Sequence, residues 1–138
     1  LEYRITDSGN SGINYRSEII ENVPFALRGY QCDIDGKNRY TGQNYEEKKR
    51  TTLAYMGEIV NIPQMPDSIS KSNLRNDWNA VRLVVKDNKM QHYINDLLFS
   101  EVTDLDIINK SLKGYIGVQV HVGPPMKVEY KNIRLKQL

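Results

Sequence analysis

At 138 residues the chain is long enough for one domain with a substantial core and too short for two ordinary ones. Its 19 Lys and Arg stand against 17 Asp and Glu, so there is no electrostatic case for nucleic acid, which calls for a clustered basic surface. No apolar run approaches the ~20 residues of a membrane span, and Cys32 is the only cysteine, which excludes an intrachain disulfide.

The chain begins at Leu1 rather than Met, which reads as a processed or trimmed product with any targeting segment upstream. Leu1 to Thr6 alternates, with Leu1, Tyr3 and Ile5 inward, and Asp7 to Gly12 is made of turn residues. Ile13 to Ile19 alternates again: Ile13, Tyr15 and Ser17 share one side, Asn14, Arg16 and Glu18 the other. After a connection containing Pro24, Gly29 to Gly36 gives the most regular stretch. Tyr30, Cys32 and Ile34 form an apolar row; Gln31, Asp33 and Asp35 form a polar row with no basic residue in it.

From Lys37 to Asp77 the pattern weakens. Arg39 to Tyr45 is polar and aromatic without a clean period, and Glu46 to Arg50 is a mixed charge run. Thr51 to Met56 and Ile59 to Ile62 are expected to pair as a hairpin through Gly57-Glu58. The Pro- and Ser-rich stretch that follows reads as loop. Regularity returns at Trp78: Val81, Leu83 and Val85 alternate, Asp87-Asn88 turns the chain, and Asn95-Asp96 turns it again after Met90 to Ile94. Thr103 to Lys113 has some helical character. Tyr115 to Gly123 places Ile116, Val118, Val120 and Val122 on one row, expected inward, and Gly117, Gln119, His121 and Gly123 on the other. Val128 to Tyr130 and Ile133 to Leu135 form a last strand interrupted near Lys131-Asn132. Short strands, tight turns and almost no helical period predict an all-β, two-sheet sandwich.

Three strands thus set a polar row against an apolar one. If they share a sheet, Asn14, Arg16, Gln31, Asp33, Asp35, Gln119 and His121 share one face, with glycines 117 and 123 leaving room for a ligand near the backbone. Tyrosine, with nine residues against two Phe and one Trp, suits such polar and sugar-facing surfaces. Taken singly, each residue also has a plain reading: Arg16 and Asp33 as a cross-strand ion pair, Asp35 as a turn shaper before Gly36, His121 as a rim residue. Trp78 reads as core or sheet-edge packing, His92 as a surface residue and Cys32 as a buried, inert thiol. There is no Gly-rich phosphate loop, Cys/His metal cluster or nucleophile elbow, so no cofactor is evident. Aspartates and carbonyls could hold a structural calcium ion, although EF-hand spacing is absent.

Five segments occur in one order: Asn10-Ser11-Gly12-Ile13-Asn14-Tyr15-Arg16-Ser17, Gly29-Tyr30-Gln31-Cys32-Asp33-Ile34-Asp35, Asp77-Trp78-Asn79, Gly114 to His121, and Tyr130 to Lys136. Together they resemble the 3-keto-disaccharide hydrolase family. The resemblance implies a concanavalin A-like jelly roll, antiparallel sheets with a carbohydrate-facing surface, and a bacterial protein that is periplasmic or secreted. The family's N-terminal segment, with Phe-Asn-Gly and Trp, has no counterpart here, so residues 1–138 are expected to be a single jelly-roll domain lacking that strand segment. The family's Glu-x-Gln pair appears as Gln31 and Asp33, with acid and amide exchanged.

The chemistry implied is abstraction of the C2 proton of a 3-keto-glycoside, elimination at C1 and hydration. It requires a base, a group to steady the enolate oxygen and an acid for the leaving group. Arg16 is the candidate for the enolate oxygen, with Asp33 or His121 as base and the other as acid. Asn14, Gln31, Asp35 and Gln119 are candidates to bind the carbohydrate or 3-keto-sugar, and Tyr40, Tyr45 and Glu46 to close one side. Two further readings stay open: a non-catalytic carbohydrate-binding module using the same face, and a structural or adhesive domain.

Overall fold

The computed structural model describes residues 1–54, 58–59, 74–75 and 77–137. The chain is all-β. Its strands are β1 (Glu2–Ile5), β2 (Asn10–Ile19), β3 (Leu27–Asp35), β4 (Asn44–Glu47), β5 (Thr51–Ala54), β6 (Glu58–Ile59), β7 (Asn79–Lys86), β8 (Lys89–Ile94), β9 (Leu97–Thr103), β10 (Tyr115–Val120) and β11 (Val128–Lys131). One sheet has the order β11-β1-β7-β8-β9-β6, the other β10-β2-β3-β4-β5. Among the described residues all pairings are antiparallel except β6 with β9.

The apolar rows predicted from period two meet between the sheets. Tyr3 of β1 and Val81, Ile94 and Phe99 of β7–β9 pack on Ile13, Cys32 and Ile34 of β2 and β3. A second cluster joins Tyr15, Tyr30 and Ala54 to Met90 and Val102. The Cys32 thiol is fully buried, as expected, and desolvation pushes it well above its usual range. The two-residue turns predicted at Asp87-Asn88 and Asn95-Asp96 form, the second with both residues at positive φ (49° and 67°). Trp78, half-buried just before the inner strand β7, packs against Arg4 of β1 and Lys131 of β11, 4.9 Å and 3.9 Å from its ring centroid.

Several expectations are corrected. The segments expected to form a hairpin lie in different sheets: β5 pairs with β4, whereas β6 runs parallel to β9; residues 55–57 and 60–62 fall outside the described residues. Thr103 to Lys113 forms no helix, because Asp104 and Asp106 accept hydrogen bonds from the backbone N–H groups of the next few residues and hold the stretch in turns. His92 is not on the surface. It is fully buried, with Nε2 2.8 Å from Tyr15 Oη and Nδ1 3.2 Å from both the Gly42 carbonyl and Ser100 Oγ, and burial lowers its pKa to about 4. The row Ile116, Val118, Val120, Val122 points the way predicted, since Val118 pairs with Ile13 and Val120 with Ser11. Nothing among the described residues covers it, however: these side chains are 50–93% exposed. The last strand ends at Lys131; residues 132–137 carry no strand and are exposed.

Candidate functional site

Sheet register fixes what shares the outer face of the five-stranded sheet. One cross-strand row runs Gln119 (β10), Gly12 (β2), Asp33 (β3), with Gln43 beside Asp33 through the Asp33 N–H···O=C Gln43 bond of 3.2 Å. The next row runs Gly117, Asn14, Gln31, Tyr45, Thr52. Period two then places Glu47 on the same side as Tyr45. Glycine at position 12 leaves room for the Gln31 side chain: a Cβ there would sit 2.5 Å from Gln31 Cδ, so Gln31 would have to move. Without it, Gln31 lies across β2 towards Asp33.

Asp33 is the centre of this face. Gln31 Nε2 donates to its Oδ1 at 2.7 Å, Gln43 Nε2 donates to Oδ2, and Asn14 Nδ2 donates to Gln31 Oε1 at 3.0 Å. Asn14, Gln31 and Gln43 are buried, so the carboxylate is held by amides in fixed positions. Desolvation raises its pKa to about 6. The two amide bonds oppose that shift, and the nearby charges of Glu47 and Asp35 add to it. Burial, and after it the nearby charges of Glu47 and Asp33, push the Tyr45 hydroxyl up, so it keeps its proton at neutral pH. Gln119 Oε1 is buried with no hydrogen-bond partner, an acceptor left open on the row of Asp33. With strands about 4.8 Å apart, Gln119 and Asp33 are separated by roughly 10 Å, a saccharide-sized span.

Of the three residues expected to act together, the structure leaves only Asp33 at this centre. Arg16 leaves the face because β2 bulges between Tyr15 and Glu18 and Arg16 adopts φ 47°, which breaks the period-two alternation. Its Nη1 donates instead to the carbonyls of Asp87 and Ser111. His121 lies on the outer side opposite Asn10, two strands over and two residues along from Asp33. It is exposed, with Nδ1 2.6 Å from the Val122 carbonyl. Asp35 is buried and committed to its loop: it accepts from the N–H groups of Lys37 and Arg39 and from Arg39 Nε. Tyr40 is exposed, its ring 5.2 Å from the Arg39 guanidinium.

Glu46 is not a loop acid. It pairs with Tyr30 across β3–β4 on the inner side and is fully buried beside Arg50, 2.5 Å away. Arg50 also pairs with Asp104 at 2.6 Å, and Tyr30 Oη donates to the same Asp104 carboxylate at 2.5 Å. Asn14, Gln31, Tyr45 and Gln119 do join Asp33. Gln43 and Glu47 were missed; the alternation Gln43, Tyr45, Glu47 against Asn44, Glu46 would have found them. Among the described residues no group of three His, Cys, Asp or Glu side chains is placed to hold a metal, and no helix is long and apolar enough to cross a membrane.

A family model described as the 3-keto-alpha-glucoside-1,2-lyase-like domain matches residues 1–136. The chain belongs to that family. A comparison with curated proteins finds no match. The membership agrees with the resemblance read from the five sequence segments and supports a carbohydrate-acting function in general.

Proposed function

We propose that this domain acts on a 3-keto-glycoside, with Asp33 as the base that removes the C2 proton. The observation that carries the reading is the Asp33 carboxylate, with pKa about 6, clamped by Gln31 and Gln43. At pH 7 it is largely ionised, yet it is a stronger base than an ordinary carboxylate. The ketone at C3 acidifies the C2 hydrogen, and proton transfer to Asp33 leaves an enolate whose charge rests on the C3 oxygen. Tyr45, which keeps its proton and shares this face, is the donor for that oxygen. The C1–O bond then breaks, the departing oxygen takes a proton from the newly protonated Asp33, and a C1=C2 double bond remains. Water adds across it. Gln119 Oε1 accepts a hydroxyl of the sugar, which fills its open position. Arg16 has no part in this scheme, because its guanidinium is engaged by backbone carbonyls. His121 belongs to the rim, where it would meet the leaving sugar rather than the reacting carbons. A periplasmic or secreted bacterial location accompanies this reading.

One observation favours a second reading. The face is built mainly of buried amides, and amides bind hydroxyls without any chemistry, so a non-catalytic carbohydrate-binding module is the alternative. Incubation with a 3-keto-disaccharide, followed by NMR detection of free sugar, separates the two. Release from the keto sugar but not from the parent disaccharide, falling about 100-fold or more in Asp33→Asn, supports catalysis. Binding without release supports the module, and neither binding nor release overturns both.

A further inference from the structure

A cleft of about 590 Å³ opens at the β2–β3 hairpin end of the sandwich, and Asp33 is not part of its lining. Arg16, Arg28, Lys49, Lys110 and Lys113 line it, against the single carboxylate of Glu18. A chain whose formal net charge is only +2 therefore concentrates positive charge at one place. Some of that charge is already engaged: Arg28 pairs with Glu18 at 2.8 Å, and Lys49 donates to the Asn109 carbonyl at 2.9 Å. Lys110 and Lys113 have no side-chain partner among the described residues.

The walls are fixed by backbone packing. A Cβ at Gly29 would lie 2.7 Å from Ser17 Oγ, and one at Gly114 would lie 2.5 Å from the Ser17 carbonyl oxygen; both glycines have positive φ (145° and 148°). Strands β3 and β10 thereby close on the β2 bulge from either side. The volume is far larger than an inorganic anion needs and suits a mono- or disaccharide. Tyr115, 58% exposed, lines the cleft with an aromatic face on which a sugar ring can stack.

We propose that this cleft binds the anionic group of a charged saccharide. Charge-assisted hydrogen bonds from Lys110, Lys113 and the spare guanidinium N–H groups hold the anion, while Tyr115 holds the ring. The sugar half rests on the carbohydrate-acting reading; the anion half does not.

Titration calorimetry with D-glucuronate, glucose 6-phosphate, inorganic phosphate and glucose tests it at low and high salt. At least one anionic sugar should bind about tenfold or more tighter than glucose and inorganic phosphate, and should weaken at least tenfold in Lys110→Glu/Lys113→Glu. Tighter glucuronate identifies a carboxylate, tighter glucose 6-phosphate a phosphate ester. Added salt should weaken the binding. Asp33→Asn should leave it unchanged, so anionic-sugar binding in a protein that releases nothing from a 3-keto-disaccharide would remove the catalytic reading and keep this one. Equal affinity for glucose and the charged sugars, or indifference to the double charge reversal in a folded variant, overturns it. Inorganic phosphate binding as tightly as glucose 6-phosphate, with no glucuronate binding, overturns its saccharide half.

Discussion

Strands β3 and β4 carry acids on both faces, and the two faces treat them oppositely. On the inner side Glu46 and Asp104 are buried against Arg50, and Asp104 is held below the usual carboxylate range by bonds from Arg50 and Tyr30 that outweigh its burial. On the outer side Asp33 is held by amides alone, its charged neighbours are acids, and its pKa rises to about 6. A buried acid that serves the fold is matched with a cation. An acid that serves chemistry is left able to take and return a proton near neutral pH. Position within one pair of strands, not residue type, separates the two environments.

Removing Arg50 should break the inner arrangement most severely. Arg50→Ala leaves the buried Asp104 without its cation and Glu46 with only Lys49, 3.6 Å away, and should cost about 3–5 kcal/mol in urea unfolding. It should leave the titration of Asp33 in place; a large movement of Asp33 would mean that the two clusters are not independent.

Next comes pH. Folded His92 has a pKa of about 4 against an ordinary 6.5, so the fold holds it neutral while the unfolded chain protonates. The stability it supports is present above pH 6.5 and is lost as pH falls towards 4, by roughly 3 kcal/mol. Asp33 works the other way. Its folded pKa lies above the ordinary 3.8, so its contribution is greatest at low pH and declines as pH rises through 6. The two changes oppose each other between pH 4 and 6. Asp33→Asn should therefore expose a steeper acid fall than wild type shows, readable as unfolding free energy against pH.

At pH 7 the same Asp33→Asn substitution should stabilise the protein by about 1 kcal/mol, once the partial exposure of the site is allowed for. Glu46→Gln should destabilise it, because Arg50 then loses a charged partner. If both substitutions move stability in the same direction, the contrast between the faces fails. The smallest effect concerns β10. Val118→Ala should change stability by less than about 0.5 kcal/mol, because the side chain is 50% exposed, whereas Ile34→Ala should cost about 2–5 kcal/mol from a fully buried position.

The alternation of Gly29 to Gly36 was enough to place Asp33 and Gln31 opposite the core, and the all-β class followed from many such short runs. What could not be read locally was set by neighbours distant in sequence. Arg16 follows period two in the sequence, but the bulge beside it turns its side chain towards the Asp87 turn of the other sheet. His92 stands among polar residues, yet its partners Tyr15, Gly42 and Ser100 come from three other segments and make it a core residue. Glu46 looked like part of a solvated charge run until the pairing of β4 with β3 turned it inward. The row Ile116 to Val122 shows the opposite limit: its pattern predicts burial, and the register agrees, but pattern cannot supply a covering layer.

The central claim is that Asp33 moves the C2 proton. The direct test is deuterium exchange at C2 of a 3-keto-glucoside in D2O, followed by NMR, in wild type and in Asp33→Asn. Wild type should exchange or eliminate with a rate that rises through pH 6, and Asp33→Asn should be slower by about 100-fold or more. Equal exchange in the two proteins would contradict the account, however tightly either binds the sugar.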